Sequence, residues 1–227
     1  MSNYDHKFSS IYYPFGPYLY HAHLDQQFIK DLLEVGKKQT FDMRYNLAGK
    51  LKEEYKFEEE DQRWFNKCLK DVFQHYIQER MNFHGIKHVP DYIIENVWIN
   101  HQYANDYQPE HIHSGDFSWV IYCALPEGLD KERQEHKTRG GEPGSIYFHY
   151  GENAGNAERS YQWVTTQHSA SPRIGDMFIF PAQLRHMVPP FRCDGTRTSV
   201  SGNGSFQYDD GKAFHLGQSR LLPEVTE

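Results

Sequence analysis

The chain predicts an α+β fold with its helices first and a run of short strands after them. Two patterns carry that expectation. Apolar residues recur at helical spacing in the first third of the sequence. After Pro90 they occur instead in short runs rich in Val, Ile, Tyr and Phe, set off by Gly, Pro and Asn. Short strands with turns roughly every 8–12 residues are the pattern of an all-β sandwich or barrel. The 227 residues allow one large domain or two small ones, and suffice to bury a core without disulfides.

In chain order, IYYPFGPYLY is broken by prolines and a glycine and reads as extended strand or loop, an aromatic flap. Leu24, Phe28, Ile29, Leu32 and Leu33 predict a helix to about Val35, with Gly36 as its stop. Residues 52–60 are acidic and are expected to start a solvated helix, favoured by the helix dipole. Trp64/Phe65, Cys68/Leu69, Val72/Phe73 and Tyr76/Ile77 extend that helix to about Phe83, its stripe packing on a core. Strands are expected at 92–103, 117–125, 144–149, 161–166, 176–181, 184–190 and 196–206. Residues 128–143 are charged and then Gly-rich, and read as a long loop. The organisation is then a helical support region with its flap (1–89), a β core (90–208) and a tail (209–227), in one integrated domain.

Composition excludes several classes. Lys plus Arg is 24 against 31 Asp plus Glu, a net charge of -7, so a strongly basic nucleic-acid face is absent at the level of totals. Cys68, Cys123 and Cys193 are widely spaced with no CxxC pair, which indicates neither a disulfide framework nor a zinc-thiolate site and fits a reducing cytoplasm. No apolar run reaches the ~18 residues of a membrane span, and MSNYDHKFSS lacks the apolar stretch of a secretory signal. Aromatic residues at 15% argue against disorder. Fourteen histidines are many for this length, and they lead to the chemistry.

The most informative stretch is PEHIHSGDFSWVIY. His111 and His113 are two residues apart, so on an extended strand both imidazoles face one point. Asp116 follows a Ser-Gly turn, close enough to offer a carboxylate. A second segment, GDMFIFPAQLRHMVPPF, brings His186, 73 residues after His113. A third, TRTSVSGN, places Arg197, Ser199 and Ser201 on one strand face. An inward Arg of this kind seats an anionic ligand through its bidentate fork. An early pair and a late histidine suit a ferrous ion with open coordination positions. His21-Ala22-His23 is a second HxH, but no distal partner matches it, and surface roles are expected for His84, His88, His136, His149, His168 and His215.

These three segments resemble the Fe(II)- and 2-oxoglutarate-dependent dioxygenases, and in particular the branch found in tailed bacteriophages, including those of cyanobacteria. The resemblance covers about residues 92–206 and implies a double-stranded β-helix (jelly roll) core with the N-terminal helices packed on one side. The family's iron-binding HxD falls on His111-Ile112-His113, with His where the carboxylate is usual. Either three imidazoles bind the iron, or a bulge lets His113 and Asp116 act as the pair. The distal histidine falls on His186 and the 2-oxoglutarate-binding Arg on Arg197, with Ser199 beside it. Tyr122, Asn100 and Asn203 are expected to line the site. The implied reaction consumes 2-oxoglutarate and O2, releases succinate and CO2, and hydroxylates a protein side chain or small molecule. The flap and the 128–143 loop are candidates to shield it from water. The implied setting is a cytoplasm (the host's, if phage-encoded), with no membrane or nucleic-acid partner and a homodimer left open. Two alternatives stand beside this one: a cupin-like metal enzyme that does not use 2-oxoglutarate, and a non-enzymatic jelly-roll binding module.

Overall fold

The computed structural model describes residue 4, the backbone of 7–12, and residues 16–44, 49, 51–84, 86–136, 142–151 and 166–207. The elements in order are β1 (Lys7–Tyr12), β2 (Leu19–His23), α1 (Gln26–Gly36), β3 (Phe41–Asp42), β4 (Glu53–Lys56), α2 (Glu59–Phe83), β5 (Asp91–Gln102), β6 (Gln108–His111), β7 (Phe117–Ala124), α3 (Leu129–Glu135), β8 (Ile146–His149), β9 (Gln167–Ala170), β10 (Asp176–Pro181), β11 (Arg185–Val188) and β12 (Arg197–Gln207).

Among the described residues the strands form two antiparallel sheets. The larger has the order β1-β2-β10-β7-β12-β5-β4-β3 and the smaller β6-β11-β8-β9. From β5 onward the chain mostly alternates between the two sheets, an arrangement consistent with a jelly-roll core. The alternation of side chains along each strand splits the larger sheet into two functional faces. On β7, Phe117, Trp119, Ile121 and Cys123 join one apolar cluster with α1 and α2, while Val120 and Tyr122 join a second with β8, β10 and β11. On β5, Val97 and Ile99 take the first side, and Asn96, Trp98, Asn100 and Gln102 line a cavity on the other.

The helices form where the periodicity predicts. Asp25 caps α1, its carboxylate accepting from the backbone N–H of Gln27 and Phe28 at 2.8 and 3.1 Å. Helix α2 carries Glu59, Glu60 and Asp61 in its first turn and Arg80 in its last, both favourable to the dipole. Its buried stripe meets the larger sheet through rings: Phe65 stacks on Trp119 at 5.8 Å between centroids, and Phe73 meets Trp119 edge-on at 4.8 Å.

Several expectations need correction. The acidic residues 53–56 are strand β4, hydrogen-bonded along β5, and the helix begins only at Glu59. The alternation of Glu54 and Tyr55 across the sheet outweighs the helical propensity of the acids. The end of the expected flap, Tyr18 to Tyr20, is extended but packed inside: Leu19 and Tyr20 belong to β2, which pairs with β10, and Tyr18 and Tyr20 are buried. Part of the 128–143 loop is the short helix α3. Most of the strand expected at 161–166 lies outside the described residues, as do the tail after Gln207, residues 13–15 of the flap and 137–141 of the loop; the strand found nearby is β9.

Candidate active site

Two strands of the smaller sheet bring the histidines together. His111 ends β6 and lies directly opposite His186 of β11 in the antiparallel register, so residues 75 apart in sequence become neighbours. His113 lies two residues past β6, held by its backbone N–H to Ala182 O at 2.9 Å. One ring nitrogen from each of His111, His113 and His186 lies within 4.8 Å of the others, a group that could hold a metal ion. The backbone sets the tautomers of two of them. His111 Nδ1 donates to Pro109 O at 2.7 Å and His186 Nδ1 to Leu184 O at 2.9 Å, which makes each Nε2 an acceptor, that of His186 lying 3.2 Å from His113 Nε2.

The surroundings keep all three rings neutral. Burial, aided by the neighbouring His111, lowers the His113 pKa to about 3. Burial also lowers that of His111, and it holds His186 well below the usual histidine range, with His111 and His113 adding to the effect. Neutral imidazole is the form that ligates metal.

Opening beside the cluster is a cavity of about 320 Å³. Along β12, Arg197, Ser199, Ser201 and Asn203 all line it, facing Gln102, Asn100, Trp98 and Asn96 of β5 in register. Arg197 is 4% exposed. It donates from Nη1 to Gly144 O at 2.9 Å, and its guanidinium lies 5.3 Å above the Tyr122 ring centroid. Arg197 Nε and Tyr122 OH are both buried with no hydrogen-bond partner. Asp176 is not the counter-ion of Arg197: it contacts His21 and His23 at 3.0 Å each, and Arg173 at 3.6 Å.

Residues 96–203 match the family described as "Putative 2OG-Fe(II) oxygenase". This stretch, just under half of the chain, is similar to the 2OG-Fe(II) oxygenases. Solved structures share its fold at low identity. An oxidoreductase of the 2OG-Fe(II) oxygenase family from Burkholderia pseudomallei is 15% identical, over 82% of this chain and 84% of its own, with a TM-score of 0.51. The viral collagen prolyl hydroxylase of Paramecium Bursaria Chlorella virus-1, in its 2-oxoglutarate complex, is 11% identical, over 84% and 96%, at 0.51. HygX from Streptomyces hygroscopicus, with nickel and 2-oxoglutarate bound, is 8% identical, over 84% and 83%, at 0.53. No curated protein matches the chain. The metal and co-substrate of the oxygenase core are those of the matching family, Fe(II) and 2-oxoglutarate.

The residues present fit both groups. Three neutral nitrogen donors suit a divalent ion. Two buried orphans, Arg197 Nε and Tyr122 OH, can both donate, and a carboxylate, which only accepts, would satisfy them.

One expected member of the site, Asp116, lies elsewhere, and another, Asn203, lines the cavity far from Arg197. Asp116 does not join the histidine cluster: its Oδ2 accepts from Phe206 N at 2.7 Å, while its backbone N–H donates to Gly204 O at 2.9 Å. The turn at Gly115, with φ +85°, swings the carboxylate to β12 instead. Asn203 lines the cavity but accepts from Ser118 Oγ at 2.7 Å. It is six residues along the strand from Arg197, roughly 20 Å at ~3.3 Å per residue, which is too far to share one small diacid. Sequence reading missed Glu54, Trp98 and Gln102, which also line the cavity. The alternation Asn96, Trp98, Asn100, Gln102 was a visible signal for the last two, and Glu54 had none.

Proposed function

We propose that this chain is an Fe(II)- and 2-oxoglutarate-dependent hydroxylase of a protein side chain or small molecule. The supporting observation is the convergence of His111, His113 and His186 beside a cavity that also holds the buried Arg197. The three histidines would hold the iron through their converging nitrogens. Arg197, with the Tyr122 hydroxyl and Ser199 next to it, would receive the far carboxylate of 2-oxoglutarate and fix its orientation. Bound there, iron with 2-oxoglutarate and O2 supplies the oxidation that converts the co-substrate to succinate and CO2 and hydroxylates a C–H bond. Ile146, Phe180 and Val188 form an apolar part of the wall that would help exclude water from the site.

The test is succinate release. Anaerobic protein given Fe(II) and 2-oxoglutarate, then O2, should form succinate slowly even without a primary substrate. No succinate from the wild type, or equal succinate from His186→Ala, removes the proposal. A donor set of three imidazoles also suits a cupin-like metal enzyme that does not use 2-oxoglutarate. Equilibrium dialysis of 2-oxoglutarate against wild type and Arg197→Ala separates the two, because the cupin-like reading predicts no binding to either.

A further inference from the structure

The cavity wall contains a carboxyl group with no cation to balance it. Glu54 of β4 is 5% exposed and pairs in register with Asn100 of β5. Its Oε2 lies 2.5 Å from one end of the Asn100 amide and Trp98 Nε1 lies 3.1 Å from the other, so the amide is assigned with its nitrogen donating to Glu54 and its oxygen accepting from Trp98. The Trp98 ring centroid lies 5.7 Å from that of His113. Two hydrogen bonds and one ring contact thus connect Glu54 to the histidine cluster. Among the described residues no Lys, Arg or His forms an ion pair with Glu54, and the charge that acts on it is another acid, Asp42 of β3. Burial, with Asp42 adding to it, pushes the Glu54 carboxyl up to about 8.

A purely structural role does not call for an acid here. Glutamine would accept the same bond from Asn100 without the cost of burying an ionisable group. A buried acid lacking a counter-charge, beside an indole and facing a cavity, is a seat for a cation that arrives with a ligand. Met43 and Leu51 line the same cavity and suit the methylenes of a basic side chain. At about 320 Å³ the space takes a side-chain-sized group beside a small diacid rather than a bulky ring system. The net charge of -7 favours the approach of a cation.

We propose that Glu54 selects the primary substrate, one that presents a cationic nitrogen, ammonium or guanidinium, into the cavity beside the histidine cluster. This rests on the oxygenase reading. It adds the charge class of the substrate, whether the nitrogen comes from a free amine or from a basic side chain of a protein.

The experiment is anaerobic calorimetry on the full chain with Mn(II) and 2-oxoglutarate. The probes are N-acetyl-lysine methylamide, its neutral isostere N-acetyl-norleucine methylamide, agmatine, and a nonapeptide with one central lysine. The cationic lysine probe should bind at least about tenfold more tightly than the isostere. Agmatine binding best indicates a free amine, and the peptide binding best indicates a protein. Glu54→Gln should reduce the preference to within about twofold while leaving 2-oxoglutarate affinity unchanged. At pH 7, binding of the cation to wild type should also release most of one proton, read from the dependence of the heat on buffer, because a neutral carboxyl must ionise to pair. That measurement needs no variant. Equal binding of lysine and norleucine probes, a preference retained in Glu54→Gln, or binding without proton release overturns the proposal. Failure of 2-oxoglutarate itself to bind the Mn(II) protein instead removes the oxygenase reading, and the cation preference can still be measured without co-substrate.

Discussion

The Nε2 atoms of His113 and His186 face each other at 3.2 Å. His186 Nδ1 donates to Leu184 O, so its Nε2 has only a lone pair to present. His111 Nε2 is in the same condition. His113 Nε2–H is then the donor to His186 Nε2, and a cation shared by the three rings would replace that contact, so its binding should be measurable as stability. Mn(II) or Fe(II) at 100 times its dissociation constant should add about 2.7 kcal/mol, which raises Tm by roughly 5–10 °C in a chain of this size. His186→Ala should show no such shift in differential scanning fluorimetry. A wild-type Tm indifferent to both ions would sink the metal site.

Arg197 should matter more as a fork than as a charge. Arg197→Lys keeps the cation but loses the planar pair of donors, and Arg197→Ala loses both. Two charge-assisted hydrogen bonds at about 1.5–3 kcal/mol each set the scale. Dissociation constants for 2-oxoglutarate should rise roughly 10-fold in the lysine variant and 100-fold or more in the alanine variant, read by equilibrium dialysis. Tyr122→Phe removes a hydroxyl without a partner in the free protein, so it should weaken 2-oxoglutarate binding while leaving Tm unchanged.

Asp116 is expected to be structural. Asp116→Ala removes the acceptor of the Phe206 N–H and should cost about 1–3 kcal/mol in urea denaturation. Metal affinity, measured by titration with Mn(II), should stay within about twofold of wild type. A tenfold loss would place the carboxylate among the ligands after all.

Two glycines of β12 leave room for aromatic rings. A Cβ on Gly202 would come within 2.2 Å of Trp119 Cζ2, and one on Gly204 within 2.3 Å of Phe117 Cζ. Overpacking of this kind typically costs ~1–3 kcal/mol. Gly202→Ala and Gly204→Ala should each lower the urea midpoint by a corresponding amount, and a neutral result would mean that the rings move aside freely.

Asp176 links acid stability to strand β2. Burial opposes its ionisation, but hydrogen bonds from His21, the Arg173 N–H and His23 hold its carboxyl down at about 2, against an ordinary 3.8. A folded pKa below the unfolded one adds stability that is present above the unfolded value and is lost as pH falls through the folded value. The contribution is about 2 kcal/mol, complete above roughly pH 4 and fading towards pH 2. Asp176→Asn should flatten the pH dependence of denaturation in that window, whereas an unchanged slope assigns the acid sensitivity to other groups.

Much of this protein was legible in its sequence because the signals are local. The four-residue recurrence from Phe65 to Ile77 forms a helix with that stripe buried, and the two-residue alternation of Arg197, Ser199 and Ser201 puts them on one face of β12. Both follow from backbone geometry that each segment has by itself. The spacing of His111 and His113 likewise pointed to one location.

The tertiary structure decided what lies opposite what. Residues 53–56 read as helix on composition, yet a free edge on β5 made them a strand, because strand preference depends on neighbours more than on intrinsic propensity. Opposing His186 to His111, swinging Asp116 to β12 and setting Glu54 beside Asn100 all depend on pairings across the sheets and on the Gly115 turn. A chain's own periodicity states which face a residue is on. Only the packed sheets establish which distant residue it meets there, since register is set by burying whole faces at once.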